Sequence, residues 1–180
     1  LTLDRAVSDD VKAAADVSVE NITWTPEVEI RRNYFARIPT RGILVTTRRK
    51  VLIEENVFYR LPMSAVLVSD DARSWYESGP VRDVTIRKNL FVECGSPVVA
   101  VMPENDRYEG AVHRNVCIES NRFMIRGGEA VGVRATDGLV IRNNYISAPV
   151  SCGTSPDVFF RMENCHDVTV EGNRCGQPVR

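Results

Sequence analysis

The sequence predicts an all-β chain wound as a right-handed parallel β-helix of about six coils. Three observations predict it. A short pattern, apolar-x-apolar-x-x-Asn-x-aromatic, recurs six times along the 180 residues. Its apolar residues alternate with the two-residue period of a strand, not the three-to-four of a helix. Its copies are separated by a bare step of 23 residues or by that step plus an insertion. A strand-and-turn unit of this size cannot bury its apolar face alone, so it must stack on its neighbours.

The copies run from Val28 to Phe35, Val51 to Phe58, Val84 to Phe91, Val116 to Phe123, Leu139 to Ile146 and Val168 to Cys175. Val, Ile and Thr dominate the alternating part, as a pleated surface prefers. The asparagines are Asn33, Asn56, Asn89, Asn121, Asn144 and Asn173. Asn tolerates left-handed backbone and bonds its own turn, so it suits a tight corner, and stacked coils would set these side chains in a ladder. The aromatic two residues later points back inside. A leucine-rich repeat is the main rival, but its leucine signature is absent.

Each coil carries a second strand, at Ile43–Val45, Val66–Val68, Val99–Val101 and Val131–Val133, ending 12 residues after the Asn. The Asn-to-Asn steps are 23, 33, 32, 23 and 29 residues. The two large insertions fall just after the second strand, in loops 69–80 and 102–113. The smaller one falls before the last second strand, near Phe159 to Met162. Stacked coils lie about 4.8 Å apart, so the two long loops should be neighbours at one corner. Long loops on a rigid scaffold are where function concentrates.

Composition bounds the rest. The length suits a single domain, residues 1–180, with 1–16 as a lead-in. The net charge of −1 implies no phosphate-binding field and no nucleic-acid partner, and no apolar stretch is long enough to cross a bilayer. Leu1 begins neither with Met nor with a signal peptide, and no N-terminal cap is visible. The expectation is therefore the C-terminal part of a longer solenoid. Five cysteines show no metal or disulfide spacing. Cys175 reads as a small core residue and Cys117 as outward. Cys152 and Cys165 flank the last second strand, where a bridge is conceivable. His113, closing the second long loop, reads as solvated, and so does Glu54.

Counting three residues past Val45, Val68 and Val101 gives Arg48, Asp71 and Glu104, one row on successive coils. Asp70, Glu77, Asp106 and Glu109 add acid in the same loops, and Trp75 and Tyr76 add flat apolar faces. Paired carboxylates beside aromatic platforms suit glycoside hydrolysis, in which one carboxyl protonates the departing oxygen and the other activates water or attacks the sugar. Close like charges also raise one pKa, which suits the acid. The same row reads alternatively as a charge-balanced wall. Calcium binding of the polysaccharide-lyase kind ranks lower, because Arg48 breaks the row.

At these residues the chain resembles a known family. The stretches Glu20-Asn-Ile-Thr-Trp24-Thr-Pro26 and Thr40-Arg41-Gly42 through Arg48 to Glu54, with Asp71-Ala-Arg-Ser-Trp75-Tyr-Glu77, are similar to the C-terminal β-helix of glycoside hydrolase family 110, the α-1,3-galactosidases. The likeness covers most of residues 17–147. It implies a cofactor-free, metal-independent, inverting removal of terminal α-1,3-linked galactose by an enzyme of a secreted, periplasmic or cell-surface bacterial kind. It implies Asp70, Asp71 and Glu104 as acid and base candidates, and Trp24, Arg41, Arg48, Trp75 and Glu77 as sugar contacts. Trp24 reads equally as a buried packing residue, and Arg41 as a cap on the coil's strand. A lyase or epimerase on the same fold, and a non-catalytic carbohydrate-binding solenoid, are the alternatives.

Overall fold

The computed structural model describes residues 5–6, 8–9, 20–71, 73, 78–105, 108–149 and 155–176. The lead-in segment lies almost wholly outside them. The described chain is a stack of coils with three strands per turn. The first coil holds β1 (Val28–Arg31), β2 (Tyr34–Ala36) and β3 (Ile43–Val45), and the second holds β4 (Val51–Glu54), β5 (Val57–Tyr59) and β6 (Val66–Val68). The third has β7 (Arg82–Arg87), β8 (Leu90–Val92) and β9 (Val99–Val101), and the fourth has β10 (His113–Glu119), β11 (Arg122–Met124) and β12 (Val131–Arg134). The fifth has β13 (Thr136–Arg142), β14 (Tyr145–Ser147) and β15 (Phe160–Glu163), and β16 (His166–Glu171) and β17 (Arg174–Gly176) follow.

Like strands stack into three parallel sheets. Sheet A runs β1-β4-β7-β10-β13-β16, sheet B runs β2-β5-β8-β11-β14-β17, and sheet C runs β3-β6-β9-β12-β15. The register pairs the repeats as the pattern requires, with Ile30 on Ile53, Ile53 on Ile86, and Val45 on Val68 on Val101. Sheet B is an addition to the sequence reading. The residues after each Asn form a strand of their own, not merely an inward aromatic. A one-turn 3₁₀ helix, Pro156–Phe159, is capped by Ser155 and fills the insertion before β15.

The core is a set of vertical rows. Phe35, Phe58, Phe91 and Phe123 stack face to face, with ring centroids 4.7, 5.0 and 4.9 Å apart. Each buried ring contributes about 2–3 kcal/mol from burial and roughly 1 kcal/mol more from stacking.

The asparagine ladder forms, but by a different bond than its own turn. Oδ1 of Asn89 accepts the backbone N–H of Asn56 at 2.9 Å and its side-chain Nδ2 at 3.1 Å. Nδ2 of Asn89 donates in turn to Asn121 Oδ1 and back to the carbonyl of Ile53. The same set repeats at Asn56, Asn121 and Asn144. The left-handed corner belongs to the residue before each Asn: Arg32, Glu55, Lys88, Ser120 and Asn143 have φ of 54° to 57°, and Gly172 has 62°. The Asn amide therefore ties coil to coil, while its predecessor makes the bend.

Outside sheet A a second row runs Arg31-Glu54-Arg87-Glu119-Arg142-Glu171, an alternation of charge fixed by the strand register. Arg87 Nε lies 2.7 Å from Glu54 Oε1, and Arg142 Nη2 lies 2.7 Å from Glu119 Oε2. Opposite charges facing each other across strands favour this register and like charges oppose a slip. Glu54 is thus not solvated. It is 5% exposed, and the Arg87 guanidinium holds its carboxyl below the usual carboxylate range against the cost of burial.

Three further expectations change. His113 is fully buried, its Nδ1 accepting the Val81 N–H at 3.1 Å, because it opens strand β10 of sheet A and is not the last residue of the loop. Burial alone lowers its pKa to about 4. Cys165 is a free thiol and Cys175 is in a disulfide, so the last cysteine is a cross-link and not merely a small core side chain. Its partner, like Cys152 in the expected bridge, lies outside the described residues.

Candidate active site

The register that stacks Val68 on Val101 continues past the strands. The Met102 N–H donates to the Val68 carbonyl and the Ser69 N–H to the Val45 carbonyl. Ser69 Oγ donates across to the Met102 carbonyl at 2.7 Å. The two long loops therefore leave adjacent coils side by side. The Asp71 N–H donates to the Ser78 carbonyl at 3.1 Å, which closes the first loop at its base.

Asp70 is 4% exposed, and its Oδ1 accepts the backbone N–H of Glu104 at 2.7 Å. Burial pushes its pKa up. The Glu104 N–H and Arg134 oppose the rise, and the neighbouring Asp71 adds to it. Asp71 is half-buried and Glu104 is exposed. Glu104 opens into a cavity of about 660 Å³ bordered also by Ser69, Arg73, Asn105, Tyr108 and Arg134. The Arg134 guanidinium stands 6.0 Å from the centre of the Tyr108 ring and donates through Nη2 to the Pro103 carbonyl at 2.5 Å. Asn164 Nδ2 donates to the Tyr108 hydroxyl. Arg134 Nε and Asn105 Oδ1 are buried without a hydrogen-bond partner among the described residues, leaving donor and acceptor capacity at the cavity wall. Such capacity is costly unless something meets it.

Arg134, Tyr108 and Asn105 were not singled out from the sequence. The register would have found the first. Arg134 follows Val133 as Met102 follows Val101 and Ser69 follows Val68, so it continues the same vertical row. Tyr108 and Asn105 sit in irregular loop, where no period reports their direction.

The other expected sugar contacts separate. Trp24 is 87% exposed, not packed inside. It borders a different cavity, about 560 Å³, with Glu20, Leu44, Thr46, Thr47 and Ser78. Arg48 pairs with Glu20, Nε to Oε2 2.6 Å, and a Cβ on Gly79 would collide with its guanidinium. Arg48 thus props the returning end of the first loop. Arg41 borders neither cavity, and its Nε is buried without a hydrogen-bond partner. Trp75, Tyr76, Glu77 and Asp106 lie outside the described residues.

These features define a parallel β-helix with a carboxylate-bearing cavity at one corner. The chain belongs to the right-handed β-helix family, whose description, right handed beta helix region, matches residues 16–177. Among curated proteins it is similar to alpha-1,3-galactosidase A of Bacteroides thetaiotaomicron, at 51% identity over 176 residues, covering 97% of this chain and 31% of that protein. The protein of the same name from Peterkaempfera griseoplana is 46% identical over 175 residues, covering 95% and 24%. Alpha-1,3-galactosidase B of Bacteroides fragilis is 30% identical over 160 residues, covering 81% and 27%. The chain therefore spans a quarter to a third of the length of these relatives. The resemblance drawn from the tryptophan- and acid-bearing stretches is borne out.

Proposed function

We propose that this β-helix carries the acid and base groups of a glycoside hydrolase that removes terminal α-1,3-linked galactose with inversion. The observation that carries the reading is that the buried Asp70 carboxyl accepts the Glu104 backbone N–H at 2.7 Å and so fixes Glu104 at the edge of an open cavity. Relatives named alpha-1,3-galactosidase along nearly the whole chain support it. Two carboxyl groups in unlike surroundings divide the labour. Burial raises the pKa of Asp70, while Glu104 meets solvent. A carboxyl whose pKa is raised by burial suits the acid. In an inverting reaction the acid protonates the leaving oxygen while the base deprotonates a water attacking the opposite face of the anomeric carbon. Asp71, next to Asp70, is the third candidate. Tyr108 offers a face for a sugar ring, and Arg134 offers donors to its hydroxyls.

The test is galactose release from an α-1,3-galactosyl disaccharide by the longer polypeptide that carries this region, followed by proton NMR. Release as the β-anomer is expected. Asp71→Asn and Glu104→Gln should each lower kcat by about 10²–10⁴-fold. Full kcat in Glu104→Gln, or first appearance of α-galactose, overturns the assignment.

A further inference from the structure

The outer face of sheet B holds a second surface whose chemistry the corner cavity does not use. Tyr34 on β2 and Tyr59 on β5 stand on successive coils with ring centroids 6.4 Å apart and planes inclined by 23°. Tyr34 is 65% exposed although nothing in the core requires an aromatic there. The two rings, with Ala36, Arg37 and Arg60, border a cavity of about 530 Å³, and small Ala36 leaves the space between them. This cavity shares no bordering residue with the Trp24 cavity or the Glu104 cavity.

The charge beside the rings is unbalanced. Arg37, Arg60 and Glu93 directly follow β2, β5 and β8, and all three have left-handed backbone, with φ of 58°, 53° and 49°. The corner therefore repeats from coil to coil and sets the two arginines one above the other. Arg60 stands 5.0 Å over the Tyr59 ring and donates through Nε to Glu93 Oε2 at 2.8 Å. Arg126 Nη2 donates to the same oxygen at 2.6 Å. One carboxylate thus serves two guanidinium groups, and Arg37 makes no ion pair among the described residues. Arg37 and Arg60 beside one exposed and one half-buried ring, with Glu93 shared between Arg60 and Arg126, attract a ligand that is flat, apolar on one face and negatively charged.

We propose that this face of sheet B is an acidic-sugar site. Tyr34 and Tyr59 take the C–H face of a pyranose, and Arg37 takes its carboxylate or sulfate. A pocket of this volume accepts one or two sugar rings. Arginine binds a carboxylate or sulfate through paired, charge-assisted hydrogen bonds. The site does not rest on the galactosidase reading, because the two surfaces have no residue in common.

Isothermal titration of this chain with methyl β-D-glucuronide and with galactose 6-sulfate tests it, with methyl β-D-galactoside as the neutral control. At least one anionic sugar is expected to bind with a Kd of order 1 mM, the range of a shallow site. The neutral sugar should bind about tenfold or more weakly, and salt should erode the difference. Which anion binds better separates carboxylate from sulfate recognition. Tyr34→Ala and Arg37→Gln, both at surface positions that leave the circular dichroism unchanged, should each weaken binding about fivefold or more. No saturable heat from either anion up to roughly 50 mM overturns the proposal. So does equal binding of the neutral sugar, or an affinity unaltered by Tyr34→Ala.

Discussion

Replacing Asn89 with Ala tests whether the amide ladder holds the coils together. Asn89 is 1% exposed and makes four side-chain hydrogen bonds: two accepted from Asn56, one donated to the Ile53 carbonyl and one to Asn121 Oδ1. Truncation removes all four and strands the backbone N–H of Asn56 without its acceptor. Asn56 is itself 1% exposed, so water cannot step in. Losing four buried neutral bonds at about 1 kcal/mol each, plus about 1–3 kcal/mol for a stranded donor, gives a loss of about 5–7 kcal/mol. That is comparable to the whole stability of many domains. Asn33→Ala is the control. Asn33 caps the first described rung and is exposed, donating only to Arg31 and to Asn56 Oδ1, so its loss should cost about 1 kcal/mol. Urea unfolding followed by circular dichroism measures both. Hydrogen exchange at the Asn56 amide reads the local effect, and protection there should collapse in Asn89→Ala alone. Equal stability of the two variants, with the Asn56 amide still protected, would refute the ladder as a source of stability.

Other expectations concern protonation and packing. His113 titrates near 4 in the fold against 6.5 when unconstrained, so the unfolded chain binds the extra proton between these values. Its contribution is intact above about pH 6.5 and is lost as pH falls towards 4, roughly 3 kcal/mol in all. His113→Asn keeps an acceptor for Val81 and should flatten the urea midpoint across that window, whereas an unchanged slope would remove His113 as its source. The depressed pKa of Glu54 acts in the same direction lower down, its contribution being lost as pH drops below 4.5 through its folded value. Glu54→Gln should therefore be less acid-sensitive than the parent in that range. Phe91→Ala opens a hole between Phe58 and Phe123 and should cost about 3–5 kcal/mol in urea unfolding, more than the same change at the end of the stack, Phe35→Ala.

How much was legible follows from which quantities are periodic. Rows at the strand positions were readable because parallel stacking converts an offset along the chain into a vertical neighbour. The Asn ladder, the phenylalanine stack and the adjacency of the two long loops are all consequences of one counted step. The alternating Arg–Glu row was equally present in the repeats, at a fixed offset before each Asn. Arg134 lay on a row that could be counted from the same valines. The loop residues Tyr108 and Asn105 had no such row, because irregular backbone carries no period from which to read a direction.

Depth and partnership were a different matter. The repeat gave the row on which Glu54 sits but not its depth: Glu54 is 5% exposed between cations of both neighbouring coils, whereas Glu29 stays exposed and pairs with Arg31 of its own strand. His113 looked like a loop residue, but it opens β10 with its buried ring accepting the Val81 N–H. Trp24, even-handed on sequence grounds, turned out to face solvent beside a cavity that Glu104 does not reach. The repeat by itself determined the solenoid, its register and the corner at which acids gather, because a period of stacking is a one-dimensional quantity written along the chain. Only the tertiary structure decided which carboxyl is buried, which arginine has no counter-charge among the described residues and which rings meet, because solvent exposure depends on three-dimensional neighbours contributed by other coils.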